Sequence, residues 1–553
     1  MPHCPVISIP DQPKDFLVTS ALDALFVTYG DNSGIIGAVP SDHVTLPVAI
    51  PPAEQKPPSA RDAHRWDHAF ARAAGAAPSD FNAVRLLLDA EENFPAWLDA
   101  IGKAERYILF ESYLILDDPL GRAFAEVLAA KAREGLRVCV VYDWFGSRGG
   151  APLWDPLRAA GVEVRAFNSP RFDSPLAWLS RDHRKSIVVD GEVGFVSGLC
   201  IDSAWEGDPG KRLEPWRDTG VEMRGPAVGE LELAFAQIWT ACGGEPLGAL
   251  PAGTDDRGPK GNVRVHVVAG VPGAAGIYRL DLLLASVARK NLWLTDAYFV
   301  GTSAYTQALR AAAADGVDVR LLVPGASDIP ALSPLSRAGY RPLLEAGVRV
   351  FEWNGTMLHA KTAVADGTWA RVGSTNLNLA SWMSNYELDV AIEDAAFAQA
   401  MSAQYEKDVS RATEIVLTSR NRVRRFEPRA TVAKESGEPV AKRAASGSAG
   451  RAAAGAVSVG SALGAALTNR RTLGPAEAGL LATMATIVLG IVVIAALWPR
   501  VIAWPLAIIG AWIAISWLLK SLSLWRAVRR GREIDTVPLP TQSTRTGRDG
   551  GAG

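Results

Sequence analysis

The sequence predicts a mixed α/β fold built from two pseudo-twofold related lobes, each a mixed β-sheet flanked by helices, with a C-terminal transmembrane helical hairpin. Three observations predict it. The pattern H-x-K-x-x-x-x-D occurs twice, as DHRKSIVVDG with His183, Lys185 and Asp190, and as LHAKTAVADG with His359, Lys361 and Asp366. The segments before each copy also match in kind, which marks an internal duplication. Two charge-free apolar runs, Gly479 to Pro499 and Val501 to Leu519, follow a small-residue linker.

The elements follow in chain order. Residues 1–80 form an N-terminal extension, expected to be partly disordered, with IPPAEQKPPSA near its end. Residues 81–250 form the first half. RYILFESYLI and LRVCVVYDWFGS read as strands around an alanine-rich amphipathic helix, and a loop then leads to the first motif. Residues 251–427 repeat the plan with KNLWLTDAYFV, a second alanine-rich stretch and VDVRLLVPGASD. Residues 428–475 are small, polar and basic, and read as a flexible linker. Residues 476–520 hold the hairpin, and 521–553 a basic flexible tail.

Spacing explains each motif locally. Side chains alternate along a strand, so His183 and Lys185 share one face, as do His359 and Lys361. Both motif aspartates precede glycine, Asp190-Gly191 and Asp366-Gly367. Asp-Gly between β-rich runs is a hairpin signal, because both residues tolerate positive φ. The aspartates therefore read as turn formers and as lysine or backbone partners ahead of direct chemistry.

After the motifs, FVSGLC (Phe195 to Cys200) aligns with RVGSTN (Arg371 to Asn376), and WRDTGVEM lies roughly where SNYELDVAI lies. This set resembles the phospholipase D superfamily over roughly Asp80 to Glu427. Within it the chain is most similar to bacterial cardiolipin synthases, on FESYLILDD, VVYDWFGS, PWRDTGVEMRGPAV, VGSTNLNLAS and NYELDVAI. The resemblance implies phospholipase D-type lobes, a metal-independent site between them needing no cofactor, and a phosphohistidine intermediate. By the same resemblance His183 is the nucleophile. The first half departs from the family pattern, with Cys200 where an asparagine is usual.

The chemistry is arguable beside the resemblance. A phosphodiester repels nucleophiles, so attack needs charge neutralisation and a protonated leaving group. Lys185 and Lys361 would hold the non-bridging oxygens. One imidazole attacks phosphorus and the other protonates the departing alkoxide. This requires partners that separate the two imidazole pKa values. Glu387 is the candidate orienting carboxylate for one ring and Asp218 its pseudosymmetric counterpart. Gly198, Ser374 and Asn376 are candidate substrate-binding positions.

Net charge is −2 over 553 residues, which argues against a nucleic-acid partner. Cys4, Cys139, Cys200 and Cys242 show no metal or disulfide spacing, and Cys139 reads as a core residue. No signal peptide is legible at the N-terminus. His64 and His68 lie four apart without a third ligand and read as an exposed helix. His266 reads as core or edge.

Each apolar run is long enough to span a bilayer. Arg470 and Arg471 precede the pair and Lys520, Arg526, Arg529, Arg530 and Arg532 follow, with Arg500 alone in the turn. The positive-inside rule then predicts a multi-pass protein of the inner membrane with its catalytic body in the cytoplasm. The expected partners are the membrane and phospholipid substrates. The leading expectation is phosphatidyl transfer from phosphatidylglycerol to the head-group hydroxyl of another phospholipid. The alternatives are a membrane-bound phospholipase D releasing phosphatidic acid, a phosphodiesterase or nuclease, and a scaffold without turnover.

Overall fold

The computed structural model describes residues 69–169, 180–243, 245–251, 258–329, 332–417, 423–425, 486, 489–490, 493 and 497–529. The first half contributes strands β1 (Ser79–Leu88), β2 (Tyr107–Ser112), β3 (Arg137–Asp143), β4 (Glu163–Phe167), β5 (Lys185–Val189), β6 (Val193–Ser197) and β7 (Thr219–Arg224). The second contributes β8 (Val263–Gly270), β9 (Asn291–Thr295), β10 (Asp318–Pro324), β11 (Arg349–Trp353), β12 (Thr362–Ala365), β13 (Trp369–Gly373), β14 (Glu387–Glu393), β15 (Ala412–Leu417) and β16 (Val423–Arg425).

The duplication is visible in strand order, which runs β16-β15-β11-β10-β9-β12-β13-β14-β8-β1-β7-β6-β5-β2-β3-β4. Read outward from the β8–β1 junction, the halves present the same succession. In each, two parallel pairings (β2–β3–β4 and β9–β10–β11) adjoin an antiparallel set carrying the motif. The parallel strands need crossovers. These are supplied by helices Pro119–Arg133 and Ala151–Ala159 in one half, and by Ser303–Ala314 and Leu332–Glu345 in the other.

Cys139, Val141, Val188 and Val196 from the first sheet share a core with Val267, Val372, Leu388 and Val390 from the second. Phe235 and Trp239 of helix Ala227–Ala241, with Phe397 and Met401 of helix Ala395–Ser410, lie in that same core. Each sheet is covered on its other face by its own helices. Strands buried on both faces read as continuous apolar runs, as LRVCVVY and VRLLV do. Cys139 is fully buried in β3, and His266 is buried in β8 with Nε2 2.7 Å from Glu393 Oε1.

Asp190 and Asp366 have φ of 56° and 53°, and Gly191 and Gly367 have 70° and 69°. This is the left-handed backbone that the Asp-Gly pairs predict. Asp190 Oδ1 and Oδ2 accept the backbone N–H groups of Glu105, Arg106 and Tyr107 at 2.7–2.8 Å. Asp366 does the same for Arg289, Lys290 and Asn291 at 2.7–3.2 Å. Both aspartates therefore fasten the turn of the motif hairpin to the entry of the neighbouring strand.

The motif strands begin later than expected, at Lys185 and Thr362. His183 and His359 precede them because their backbones bond to the opposite half. At the C-terminus the charge-free run 501–519 lies within one helix, Pro499–Arg529. The helix runs on past 521, where a flexible tail is expected, to Arg529, since KSLSLWRAVR contains no glycine or proline to stop it. Among the described residues, no helix is long and apolar enough to cross a membrane. Most of the run Gly479 to Pro499, the linker, the end of the tail, the N-terminal extension up to residue 68, Cys4, His64 and His68 lie outside the described residues.

Candidate active site

The site forms where the start of each motif strand meets the start of a carboxylate-bearing strand from the other half. His183 N donates to Tyr386 O at 2.9 Å, and Tyr386 N donates to Arg181 O at 2.8 Å. Tyr386 is followed by Glu387, so this short parallel bridge brings Glu387 Oε2 to 2.9 Å from His183 Nδ1. The mirror arrangement joins Arg217 to Leu358: His359 N donates to Arg217 O at 2.7 Å. Arg217 is followed by Asp218, whose Oδ2 lies 2.8 Å from His359 Nδ1. Each imidazole of one half is thus held by a carboxylate of the other.

Both carboxylates are fully buried. Burial alone would raise them, but His183 and Lys185 hold Glu387 below its ordinary value, and His359 and Lys361 do so for Asp218. An ionised acceptor fixes the proton on Nδ1 and leaves Nε2 with its lone pair. Lys361 Nζ also lies 2.9 Å from His359 Nδ1. A nitrogen that donates to Asp218 cannot accept from the ammonium, so Lys361 instead donates to the His359 carbonyl oxygen. Lys185 donates to the His183 carbonyl in the same way.

The expected separation of imidazole pKa values is not what the protein alone provides. Burial pushes His183 down to about 4, with Lys185 and Lys361 adding to it against Glu387. Burial and Lys361 push His359 down to about 3. Both rings are neutral at neutral pH, because burial disfavours the imidazolium and two ammonium groups face them. Protonation of one ring would need a negative charge beside the lysines to offset them. Burial likewise lowers Lys361, to about 8, with Lys185 contributing.

Two further positions, Ser374 and Gly198, differ from expectation. Ser374 donates its hydroxyl proton to Glu387 Oε2 at 2.6 Å and accepts Leu388 N at 2.9 Å. It therefore clamps the carboxylate, with no proton left for a phosphoryl oxygen. Gly198 spends its N–H on Thr219 O at 3.1 Å. A Cβ there would stand 2.1 Å from Asp218 Oδ1, so this glycine makes room for the carboxylate. Asp190 and Asp366 are committed to the turns and do not join the histidines. Asn376 is buried, and its Oδ1 has no hydrogen-bond partner, which leaves one acceptor open to a hydroxyl donor. Cys200 is buried close enough to feel the charge of both Lys185 and Lys361, with burial raising its thiol pKa.

Sequence reasoning did not find the aromatic surround. Tyr113 lies 5.0 Å from the His183 ring, and Trp205, Trp216 and Tyr298 lie 5.1, 5.8 and 5.9 Å from the His359 ring. Tyr113, Trp216 and Tyr298 stand in FESYLILDD, PWRDTGVEM and KNLWLTDAYFV, but no local pattern marks them as neighbours of the rings. Among the described residues, no group of histidine, cysteine or carboxylate side chains is placed to hold a metal ion.

Known proteins share this plan. Cardiolipin synthase A of Pseudomonas aeruginosa is 35% identical over 353 residues, covering 63% of this chain and 71% of that protein. The chain belongs to the cardiolipin synthase family of the phospholipase D superfamily. The family profile described as "Cardiolipin synthase, PLD-like domain" matches residues 283–409, which include the second motif and Glu387. Cardiolipin synthase of Geobacillus kaustophilus is 37% identical over 316 residues, 55% of this chain and 61% of its own. The phosphatidylserine synthase of Haemophilus influenzae superposes with a TM-score of 0.50 at 15% identity, covering 63% of this chain and 91% of that one. That likeness shows the mixed α/β phospholipase D fold. As a member of the cardiolipin synthase family, the chain is a phospholipase D-type phosphatidyltransferase.

Proposed function

We propose that the chain makes cardiolipin, transferring the phosphatidyl group of one phosphatidylglycerol to the head-group hydroxyl of another. The observation that carries this is the pair of cross-braced imidazoles beside two lysines, in a chain whose relatives are cardiolipin synthases. His183 Nε2 attacks phosphorus while Lys185 and Lys361 neutralise the non-bridging oxygens. The P–O bond to glycerol breaks, and His359, which takes up a solvent proton on Nε2 as the anionic substrate binds, passes that proton to the departing oxygen. A second phosphatidylglycerol then presents its hydroxyl, His359 removes the proton of that hydroxyl, and the new P–O bond displaces His183. Glycerol and cardiolipin leave, and both rings regain their starting state.

Transfer requires a bound alcohol to outcompete water. The aromatic surround of His359 supports this by excluding solvent from one side of the reacting centre. Asn376 supplies a further polar contact to the substrate.

Membrane attachment places such a site against its lipids. The two apolar runs within 479–519 would attach the chain to the inner membrane, with the catalytic body and both charged flanks in the cytoplasm. In support, Trp504, Ile508, Trp517 and Leu518 of the C-terminal helix are 63–71% exposed, a surface suited to lipid. A reporter fused after Gly553 that became active only outside the cytoplasm would contradict the topology.

The test of the reaction is the purified protein in phosphatidylglycerol vesicles, with products resolved against time. Cardiolipin and glycerol in equal amounts are expected. Phosphatidic acid alone would replace transfer with hydrolysis, and no lipid product would remove both.

A further inference from the structure

We propose that Trp205 is a positioning residue for His359, acting by sharing the oxygen of Asp218 that holds the ring. This rests on the reading of His359 as the proton carrier in phosphatidyl transfer. Trp205 Nε1 donates to Asp218 Oδ2 at 2.9 Å, the same oxygen that lies 2.8 Å from His359 Nδ1. The other oxygen, Oδ1, accepts Thr219 N at 2.8 Å. The indole stands edge-on to the imidazole at 5.1 Å and 87°, so it touches both the ring and its brace.

The pseudo-equivalent carboxylate shows what this contact replaces. Glu387 Oε2 receives its second hydrogen bond from the Ser374 hydroxyl. The position matching Ser374 is Gly198, where any side chain would collide with Asp218. The first half cannot place a hydroxyl there, and the indole supplies the missing donor from the opposite direction. Trp205 is 1% exposed and sits on the short turn Ser203–Trp205. Asp202 caps that turn through Ala204 N at 2.8 Å, and Asp118 Oδ2 accepts both the N–H and the hydroxyl of Ser203.

The effect is on basicity as well as orientation. A carboxylate with a further donor is a weaker base, so it leaves the proton on Nδ1 and stabilises the imidazolium less. Trp205 is among the groups that hold Asp218 below its ordinary value, after His359 and Lys361 offset the burial that would raise it. The other charges facing His359 are Lys361 and Lys185.

The experiment compares the full-length protein with Trp205→Phe and with 3-benzothienylalanine placed at position 205, which keeps the indole outline and loses only the N–H. Two quantities are read. One is the midpoint pH of His359 modification by diethyl pyrocarbonate, resolved by peptide mass and needing no substrate. The other is phosphatidyl transfer in vesicles. Loss of the donor is expected to raise the midpoint by about half a pH unit or more and to lower turnover about ten-fold in the benzothienyl protein. An unmoved midpoint overturns the proposal whatever turnover does, and so does a raised midpoint with full turnover. Absence of lipid turnover in the unaltered protein would count against the phosphatidyl-transfer reading, and the midpoint would then decide the role of Trp205 alone. The benzothienyl protein keeps the test valid if Trp205→Phe does not fold.

Discussion

His183 and His359 differ from ordinary surface histidines in being largely shielded from water while facing two ammonium groups. Glu387→Gln keeps the shape of the brace but removes the charge that holds the imidazolium. By analogy with other His–carboxylate pairs, turnover should fall on the order of 10²–10⁴-fold with little change in thermal midpoint. Equal losses of turnover and thermal midpoint would show that Glu387 is only structural. Lys361 sets a basic limit. With its ammonium lowered to about 8, kcat/KM should decline above that pH as the charge facing the phosphate is lost. Bound substrate is an anion and raises that value, so kcat should decline at higher pH than kcat/KM does. Coincident limbs would contradict the assignment.

The same two rings make a stability prediction. Their pKa values fall on folding from 6.5 to about 4 and about 3. The unfolded chain therefore binds more protons below 6.5. The contribution is complete above that pH and is lost as pH falls towards the folded values, on the order of 3–5 kcal/mol per ring. The thermal midpoint in detergent should drop between pH 6.5 and 4 more steeply in the wild type than in His183→Gln/His359→Gln.

The motif hairpins illustrate how one residue type serves an element in place of the chemistry. Asp366 bonds three backbone N–H groups and sits at φ 53°. Asp366→Ala should cost about 2–3 kcal/mol by orphaning those donors and straining the turn, while kcat stays within a few-fold of wild type. A complete loss of kcat with an unchanged thermal midpoint would return the aspartate to the reaction.

Much of this was legible in the chain. The repeated motif gave the two lysine–histidine sets, Asp-Gly gave the turns, and alignment of WRDTGVEM with SNYELDVAI gave both bracing carboxylates. The roles of Gly198 and Ser374 were not legible, because which way a side chain spends its hydrogen bonds depends on a neighbour thirteen or more residues away. Trp205 was hidden for the same reason. The late strand starts at Lys185 and Thr362 follow from bridges to the opposite half, which no local pattern records.

Taken as a whole, the molecule has one sheet order running through both halves and a core they share. Neither half holds a complete imidazole–carboxylate pair. Arg217 reinforces the junction, pairing with Asp408 of the second half at 3.0 Å and with Asp89 at 3.2 Å. The proposed attachment through the C-terminal helix would be separate from this catalytic body. Removal of residues 476–553 should abolish co-sedimentation with phosphatidylglycerol vesicles while cleavage of soluble bis(p-nitrophenyl) phosphate persists. Loss of both activities together would show that the helix is part of the catalytic fold.

The convergence of the two histidines on one phosphorus is tested most directly by trapping the covalent intermediate. Protein mixed with phosphatidylglycerol, quenched within the first turnover and digested should carry the phosphatidyl mass on the peptide containing His183. The adduct should persist longer in a His359→Ala protein given a donor with a good leaving group, because that protein lacks the base that activates the acceptor. Turnover without any histidine adduct, or an adduct on a residue other than the two histidines, would contradict the account.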